Sequence, residues 1–348
     1  MKPFILFLFL SAMLFQQAFF QANAQNMLAK GRQAQVSVDP QGVMRIVFGT
    51  NDSIMVMNSS DQGKTFSKPE LIAQLEGMHL GMSRGPQIAS SANYTLVTAM
   101  SNDGNIHTFQ LNHVTNQWKK IANVNDVPAS APEGLMNIAA DDQDNFFAVW
   151  LDVRSDKSNK IYVAKRKTGE QWSKNVMAYQ SPDGTVCECC KPNIAVGDSK
   201  VYVMFRNWLD GSRDMYVMQS ESDRLSFAPP KKMGEGNWPL KGCPMDGGGV
   251  LIDDQNEVHT SWQREGKIFY AQPGKKEMQV GEGRASSISG QKNPVVAWQD
   301  GGTLKIKYLD SGKEIQVGEG AFIEVVTLKD NSIFCVWENE GEIYSKRE

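Results

Sequence analysis

The feature that most constrains the fold is a pattern that recurs along the chain. Each copy has a short apolar strand, a polar turn rich in Asp, Asn, Gln and Gly, and a second strand that ends on a large apolar residue. This arrangement is typical of β-hairpins, and a third strand follows every copy. The copies occupy residues 36–48, 88–100, 138–150, 194–205, 250–262, 286–298 and 325–337.

Sequential four-stranded antiparallel units predict an all-β fold, a seven-bladed β-propeller. Six blades are the alternative, if the last two copies merge. The chain ends at Glu348 after the third strand of the last copy, whereas residues 26–38 resemble residues 277–288, a fourth strand that leads into a blade. We therefore expect the mature N-terminal strand to close the ring, which would leave no unpaired sheet edge. The residues that end the second strands should pack between blades: Phe48, Met100, Trp150, Phe205, Trp262, Trp298 and Trp337.

The N-terminus has the composition of a secretory signal peptide. Lys2 supplies a positive charge, residues 4–15 form an apolar run, and Ala22 and Ala24 flank a small-residue cleavage site. We expect residues 1–24 to be removed, residues 25–348 to form a single propeller domain, and the protein to be secreted or periplasmic. No later segment approaches the ~20 apolar residues that span a bilayer, so we expect no membrane span. The formal net charge is −3 with no basic stripe, which argues against nucleic acid as a partner.

One turn matches a known repeat. Residues 59–66 read SSDQGKTF and fit the Asp-box pattern S-x-D-x-G-x-T-F, the bacterial neuraminidase repeat, and degenerate copies end on Trp118, Trp172 and Phe227. The chain thus resembles the sialidase-like Asp-box β-propellers over its mature length. The resemblance implies that the Asp box is structural and marks the face opposite the usual active site.

Charged residues should gather at one end of the central channel, which we call the channel mouth. In a propeller blade, the loop that leads into the first strand and the turn between the second and third strands lie on the same face. Arginine binds carboxylate through two parallel hydrogen bonds, so this set favours an anionic sugar or another anionic small ligand. The residues are Arg32, Arg84, Glu133, Asp152, Arg154, Arg206, Asp210, Arg213, Asp214, Asp246, Arg264, Arg284 and Glu324.

The resemblance to sialidases implies roles for some of these residues. Arg84, in SRGPQI, resembles the arginine that grips the substrate carboxylate, and Arg206 and Arg213 complete a candidate triad, with Arg154 and Arg284 as further substrate-binding candidates. Glu133, Asp152 and Asp246 are the candidate catalytic acids, because a crowded carboxyl group can keep its proton. The leading hypothesis is a glycoside hydrolase or glycan-binding protein for an acidic sugar. A retaining hydrolase with two carboxylates and a propeller that only binds remain alternatives, as does a bracing role for each residue.

Four cysteines fall in two neighbouring loops at the predicted mouth. Cys187, Cys189 and Cys190 lie in CECCKP, and Cys243 lies in the loop before the next blade. Disulfides persist in exported proteins, so we expect a bond from Cys243 to Cys187 or Cys189. The fifth cysteine, Cys335, lies within a strand and should be an inert buried thiol.

The cysteines of these loops allow two other interpretations. A soft-metal site for Cu(I) or Zn could use Cys187, Cys190 and Cys243 with Met245, and a redox couple could use Cys187 and Cys190 beside Lys191. The sequence has no cofactor-binding motif, so we expect no cofactor. The rival functional hypothesis is a non-catalytic periplasmic scaffold or metal-handling propeller that uses its cysteine-rich face toward a protein partner.

Overall fold

The computed structural model describes residues 25–197 and 199–348, so the predicted signal peptide lies outside the described residues. The described residues form seven four-stranded antiparallel sheets and no helix. The predicted seven-bladed all-β propeller is therefore confirmed, and the six-bladed alternative is wrong. Within the same ranges, no helix has the length and apolar character needed to cross a membrane.

One strand precedes the seven blades, which follow one another along the chain. The first strand is β1 (Asn26–Lys30). Blade 1 contains β2 (Arg32–Val38), β3 (Met44–Thr50), β4 (Ser53–Ser59) and β5 (Glu70–Gln74). Blade 2 contains β6 (Gln87–Ser90), β7 (Tyr94–Met100), β8 (Ile106–Asn112) and β9 (Gln117–Ile121). Blade 3 contains β10 (Met136–Ala140), β11 (Asn145–Asp152), β12 (Lys160–Lys167) and β13 (Val176–Tyr179).

The remaining blades follow the same plan. Blade 4 contains β14 (Asn193–Val196), β15 (Lys200–Arg206), β16 (Met215–Glu221) and β17 (Lys231–Lys232). Blade 5 contains β18 (Gly249–Ile252), β19 (Val258–Arg264), β20 (Lys267–Ala271) and β21 (Met278–Glu282). Blade 6 contains β22 (Arg284–Ser289), β23 (Val295–Asp300), β24 (Thr303–Tyr308) and β25 (Glu314–Glu319). Blade 7 contains β26 (Ala321–Thr327), β27 (Ile333–Asn339) and β28 (Glu342–Arg347) and is completed by β1.

The two ends of the described chain meet in blade 7. Strand β1 runs antiparallel to β28, with Asn26 opposite Ser345 and Lys30 opposite Glu342. The first strands of successive blades contact one another around the ring, and β2 contacts both β6 and β26. The first strand of each blade therefore lies nearest the axis, and the ring closes through hydrogen bonds rather than through a covalent link.

Large side chains fill the space between neighbouring blades. Trp150, Trp262, Trp298 and Trp337 are each at most 1% exposed, and each lies near the end of a second strand as predicted. The core cluster around Trp150 in blade 3 includes Met100 of blade 2. Burying a tryptophan removes roughly 200 Å² from water, which is worth roughly 5 kcal/mol before the entropy cost of ordering the chain. The packing of these anchors fixes the distance between blades, and therefore the width of the channel.

Candidate functional site

A ring of polar residues surrounds the channel axis. The innermost strand of each blade has an equivalent position, directly before the first Val or Ile of the repeat. Six blades have a polar residue at this position, and blade 5 has Gly249. Side chains alternate between the two faces of a strand, so the apolar neighbour and the polar residue point in different directions. We call this set the axial ring: Gln35, Gln87, Asn137, Asn193, Gly249, Ser287 and Glu324.

Hydrogen bonds hold the axial ring in place. The carboxylate of Glu324 accepts hydrogen bonds from Gln35 Nε2 at 3.0 Å and from Ser287 Oγ at 2.8 Å. Across the ring, Asn193 Nδ2 donates to the carbonyl oxygens of Gly247 and Gly248, both at 3.0 Å. These bonds connect blade 7 to blades 1 and 6, and blade 4 to the loop before blade 5. The ring is thus a fixed polar surface.

A cavity of about 170 Å³ lies against the axial ring, and residues from all seven blades or their preceding loops line it. Lys191, in the loop before blade 4, lines this cavity and is only 9% exposed. Within residues 25–197 and 199–348, the Lys191 ammonium group forms no salt bridge and no hydrogen bond, although the Lys191 carbonyl oxygen accepts one from Asn193 Nδ2 at 3.3 Å. Lys191 is therefore a buried cation without an ion pair, in a cavity lined by carboxamide and hydroxyl groups. The carboxylates of Glu324 and Asp246 also line this cavity, and both already accept hydrogen bonds from the protein.

Arg206, one of the predicted substrate-binding arginines, is enclosed between blades 4 and 5. The side chain is among the largest fully buried ones, with the residue 1% exposed. Its Nε, Nη1 and Nη2 atoms donate to the carbonyl oxygens of Asp246 (3.1 Å), Arg213 (2.9 Å) and Gln263 (2.9 Å). Its guanidinium also lies over the Trp238 ring at 5.1 Å. The structure therefore gives Arg206 a bracing role rather than an open position at the mouth.

Asp152 and Arg154 form a second braced pair, in blade 3. Asp152 is fully buried, and its carboxylate accepts five hydrogen bonds, from Ser130 Oγ, Trp150 Nε1 and the backbone N, Nε and Nη2 of Arg154. Arg154 also donates from Nη1 to Asp126 Oδ1 at 2.7 Å. Although burial opposes the shift, the hydrogen bonds to Asp152 and Asp126 raise the pKa of Arg154. Neither side chain of this predicted pair is free for a substrate.

Arg84 and Glu133 are brought together where the loops before blades 2 and 3 meet. Arg84 Nε donates to the Glu133 carbonyl oxygen at 2.6 Å, and Arg84 Nη2 lies 3.9 Å from Glu133 Oε2. The Glu133 side chain is 32% exposed, and Asn159 Nδ2 reaches its Oε1 at 3.5 Å. Burial, together with the charge of Arg84, lowers the pKa of the neighbouring His79. Of the predicted acids, Glu133 is the one whose carboxylate stays accessible.

Asp246 and Arg284 lie where the loops before blades 5 and 6 meet. Asp246 is 3% exposed, and its carboxylate accepts hydrogen bonds from the backbone amides of Gly248 (3.2 Å) and Ala285 (2.6 Å). Arg284 is exposed, and its Nη2 contacts backbone carbonyls of this loop only at 3.4 and 3.5 Å. Asp246 therefore fixes the loop conformation, while the Arg284 guanidinium remains available at the surface.

Cys187, Cys189 and Cys190 form one buried cluster, and the exposed Cys243 of the next loop is bonded to it. A disulfide joins Cys189 to Cys243, one of the two pairings expected, and it links the loops before blades 4 and 5. Cys187 and Cys190 are free thiols whose Sγ atoms lie 3.3 Å apart, and Cys189 Sγ lies 3.6 Å from Cys187 Sγ. Cys335 lies outside this cluster, as a free and fully buried thiol within β27, and burial raises its pKa well above the usual range.

Arginine side chains lie close to the free thiols, together with one carboxylate. Arg213 Nη1 donates to Cys187 Sγ at 3.0 Å, and the same guanidinium pairs with the carboxylate of Glu188. The hydrogen bond from Cys190, followed by the charges of Arg213 and Arg206, lowers the pKa of Cys187 to about 7 against the opposing effect of burial. Burial raises the pKa of Cys190. Cys187 is therefore the thiol that ionises first.

The structure separates the predicted site residues into distinct groups. Arg206, Arg213 and Asp246 converge with the cysteine cluster, whereas Arg84 pairs with Glu133 and Arg154 with Asp152. Lys191 and the axial ring other than Glu324 were not among the residues predicted at the channel mouth for a ligand. The sequence does carry a signal for the ring, because a polar residue precedes the first Val or Ile in six of the seven repeats. Lys191 has no comparable signal, since its isolation depends on the loop conformation.

Comparison with solved structures identifies other propellers of similar shape. The fold matches BP39L, a lectin from Burkholderia pseudomallei, with a TM-score of 0.63 and 12% identity over 90% of this chain and 98% of the lectin. An ulvan lyase from a family of polysaccharide lyases matches with a TM-score of 0.58 and 10% identity, covering 92% of this chain and 95% of the lyase. The SapL1 lectin, in complex with alpha methyl fucoside, matches with a TM-score of 0.55 and 12% identity, covering 84% and 97%.

Sequence comparison adds nothing to this assignment. No protein-family model matches the chain, and no curated protein sequence matches it either. At these levels of identity, the structural likeness shows the fold alone. The chain has the β-propeller fold.

Proposed function

We propose that the protein is an exported glycan-binding propeller that holds an acidic sugar residue at the axial cavity. The observation that carries this proposal is Lys191, a buried cation that lines the cavity without an ion pair. A sugar carboxylate would supply the missing charge. Carboxamides both donate and accept hydrogen bonds, so the axial ring suits the hydroxyl groups of a sugar. The lectins and the polysaccharide lyase of similar fold support a carbohydrate ligand.

The geometry favours binding over hydrolysis. Most glycoside hydrolases need two carboxyl groups that flank the scissile bond. Asp152 and Asp246 both use their oxygens in buried hydrogen bonds that hold loops in place. Glu133 alone keeps an accessible carboxylate among the predicted acids. Arg84 and Arg284 remain the mouth arginines that could extend contacts to a longer acidic glycan.

We also propose that residues 59–66 form a true Asp box and that the protein belongs with the sialidase-like Asp-box propellers. Asp61 Oδ1 accepts from Thr65 N at 2.9 Å, and Ser59 Oγ accepts from Gly63 N at 2.9 Å. The Phe66 ring packs against Phe334 of blade 7 with centroids 5.7 Å apart. The turn thus has the hydrogen bonds and the aromatic anchor that the pattern requires.

The test uses the mature chain, residues 25–348, and calorimetric titration with oligosaccharides that end in a hexuronate or a sialate. Matched neutral oligosaccharides measure the contribution of the carboxylate. K191Q should weaken binding of the acidic sugars roughly tenfold or more, because a lost charge-assisted hydrogen bond is worth about 1.5–3 kcal/mol. K276Q, which changes an exposed lysine, should bind like the wild type. Equal affinity for acidic and neutral sugars, or an unchanged affinity in K191Q, would overturn the proposal.

A further inference from the structure

We propose that Cys187, Cys190 and Met245 form a binding site for a soft monovalent metal ion, Cu(I). The two thiol sulfurs already lie 3.3 Å apart, and Met245 packs against the cysteine cluster. The site is separate from the proposed sugar site, although Met245 also lines the axial cavity. It requires neither a sugar ligand nor Lys191.

The donor atoms select the metal. Thiolate and thioether sulfur favour Cu(I), whereas oxygen-rich sites suit Mg²⁺ and Ca²⁺. The nearby carboxylates are already engaged, because Asp246 accepts two backbone hydrogen bonds and Glu188 pairs with Arg213. Structural zinc sites use four protein ligands, but Cys189 and Cys243 are bonded to each other. Two thiolates and one thioether remain, a set of three soft ligands.

The surroundings match the charge of the loaded site. Two thiolates and one Cu(I) ion carry a net charge of −1, which burial would penalise unless a cation were close. Two cations lie close to the site. Arg213, which also pairs with Glu188, has Nη1 at 3.0 Å from Cys187 Sγ, and the buried Arg206 donates to the carbonyl oxygen of Asp246 beside the cluster. The backbone amide of Asp246 points at Cys190 Sγ from 3.4 Å. Hydrogen bonds donated to the ligand sulfur atoms orient these ligands and tune the properties of the bound metal.

The Cys189–Cys243 disulfide explains how the site is held without metal. The two thiols come from the loop before blade 4, and Met245 comes from the loop before blade 5. The disulfide ties these two loops together immediately beside the three ligands. The axial cavity reaches Met245, which gives an ion a path to sulfur atoms that are otherwise buried. A structural disulfide and a metal site can therefore both form within this group of four cysteines.

The test titrates Cu(I), without oxygen, against a bicinchoninate competitor, using the mature chain purified without reductant so that the disulfide persists. We expect one Cu(I) ion per chain, with sulfur-only coordination in X-ray absorption spectra. C187S and C190S should each weaken Cu(I) binding by roughly 100-fold, and R213M by roughly tenfold to 100-fold. M245L keeps both thiols and the side-chain volume, and we expect it to weaken binding and to remove one sulfur from the coordination shell. C335S, which changes a free buried cysteine outside the cluster, should bind like the wild type.

Several results would overturn the proposal. Unchanged Cu(I) affinity in both C187S and C190S would show that the ion binds elsewhere. Nitrogen or oxygen ligands in the absorption spectrum, or an unaltered spectrum in M245L, would contradict the three-sulfur set. Peptide mapping that finds a Cys187–Cys190 disulfide in the purified protein would remove the thiolates that the site requires.

Discussion

Arg213 donates a hydrogen bond to the sulfur of Cys187 across 3.0 Å, and the same guanidinium pairs with Glu188. This contact changes the interpretation of the channel mouth. Arg154, Arg206 and Arg213 are each paired with sulfur, carboxylate or carbonyl groups of the protein itself. Arg206 and Arg213 therefore do not form an open arginine triad with Arg84, and under the proposed function the cation for a ligand carboxylate is Lys191.

Replacing Arg206 should reduce stability. R206M provides an apolar side chain of similar length but leaves three carbonyl oxygens, in two buried hydrogen bonds and one partly buried one, without their donor. Buried groups that lose their partner cost about 1–3 kcal/mol each, and partial relaxation reduces the sum, so we expect a loss of roughly 3 kcal/mol in the free energy of unfolding. Urea denaturation measures it. R284M, at an exposed arginine, should stay within about 0.5 kcal/mol of the wild type, and equal effects of the two variants would contradict the bracing role.

Replacing Asp152 distinguishes a structural role of its carboxylate from a catalytic role. D152N puts an amide where the carboxylate accepts five hydrogen bonds and pairs with Arg154. Breaking a buried pair costs roughly 3–5 kcal/mol, so we expect a large drop in thermal stability, measured by calorimetry. E133Q, at an accessible acid, should change stability little. A D152N variant that unfolds like the wild type but loses turnover of a glycoside would instead identify Asp152 as a catalytic acid.

The repeats made the architecture predictable, because each anchor such as Trp150 or Trp337 recurs at the same place in a hairpin. The pairing of Cys243 was predictable to within two partners, since the topology brings its loop beside CECC. The hydrogen-bond partners of Arg154 and Arg206 were not predictable from the sequence. Arg154 pairs with Asp126 in the loop before its own blade, and Arg206 donates to backbone carbonyls and lies over the Trp238 ring. Both arrangements depend on loop conformations that the repeat pattern of the sequence does not encode.

The Asp61 carboxylate should make stability depend on pH at the acid end. Hydrogen bonds from the Thr65 side chain and backbone lower the pKa of Asp61 from 3.8 to about 2. A depressed pKa in the folded state gives stability that is present above pH ~4 and is lost as the pH falls toward 2. D61N has no such titration, so its melting temperature should lie below that of the wild type at pH 5–7 and approach it at pH 2–3. Melting curves from pH 2 to 7 test this expectation.

The control for that series is D142N, which changes an exposed aspartate in a blade 3 turn. Across the described residues, the Asp142 side chain accepts no hydrogen bond. Its substitution should therefore shift the melting temperature little at any pH. A difference between D61N and the wild type that is constant from pH 2 to 7 would show that the Asp61 hydrogen bonds do not favour the ionised form.

Gly63 should tolerate no side chain, for two separable reasons. Its φ is +78°, and a Cβ atom would lie 2.7 Å from the ring of Phe334 in blade 7. G169A isolates the first reason, because Gly169 has φ +91° with nothing within 4 Å of a Cβ atom. We expect G169A to cost about 1–2 kcal/mol for the left-handed backbone and G63A a further 1–3 kcal/mol for the clash, both measured by urea denaturation. Equal losses in the two variants would mean that blade 7 can move away from the turn, and that the turn does not fix the contact between the first and last blades.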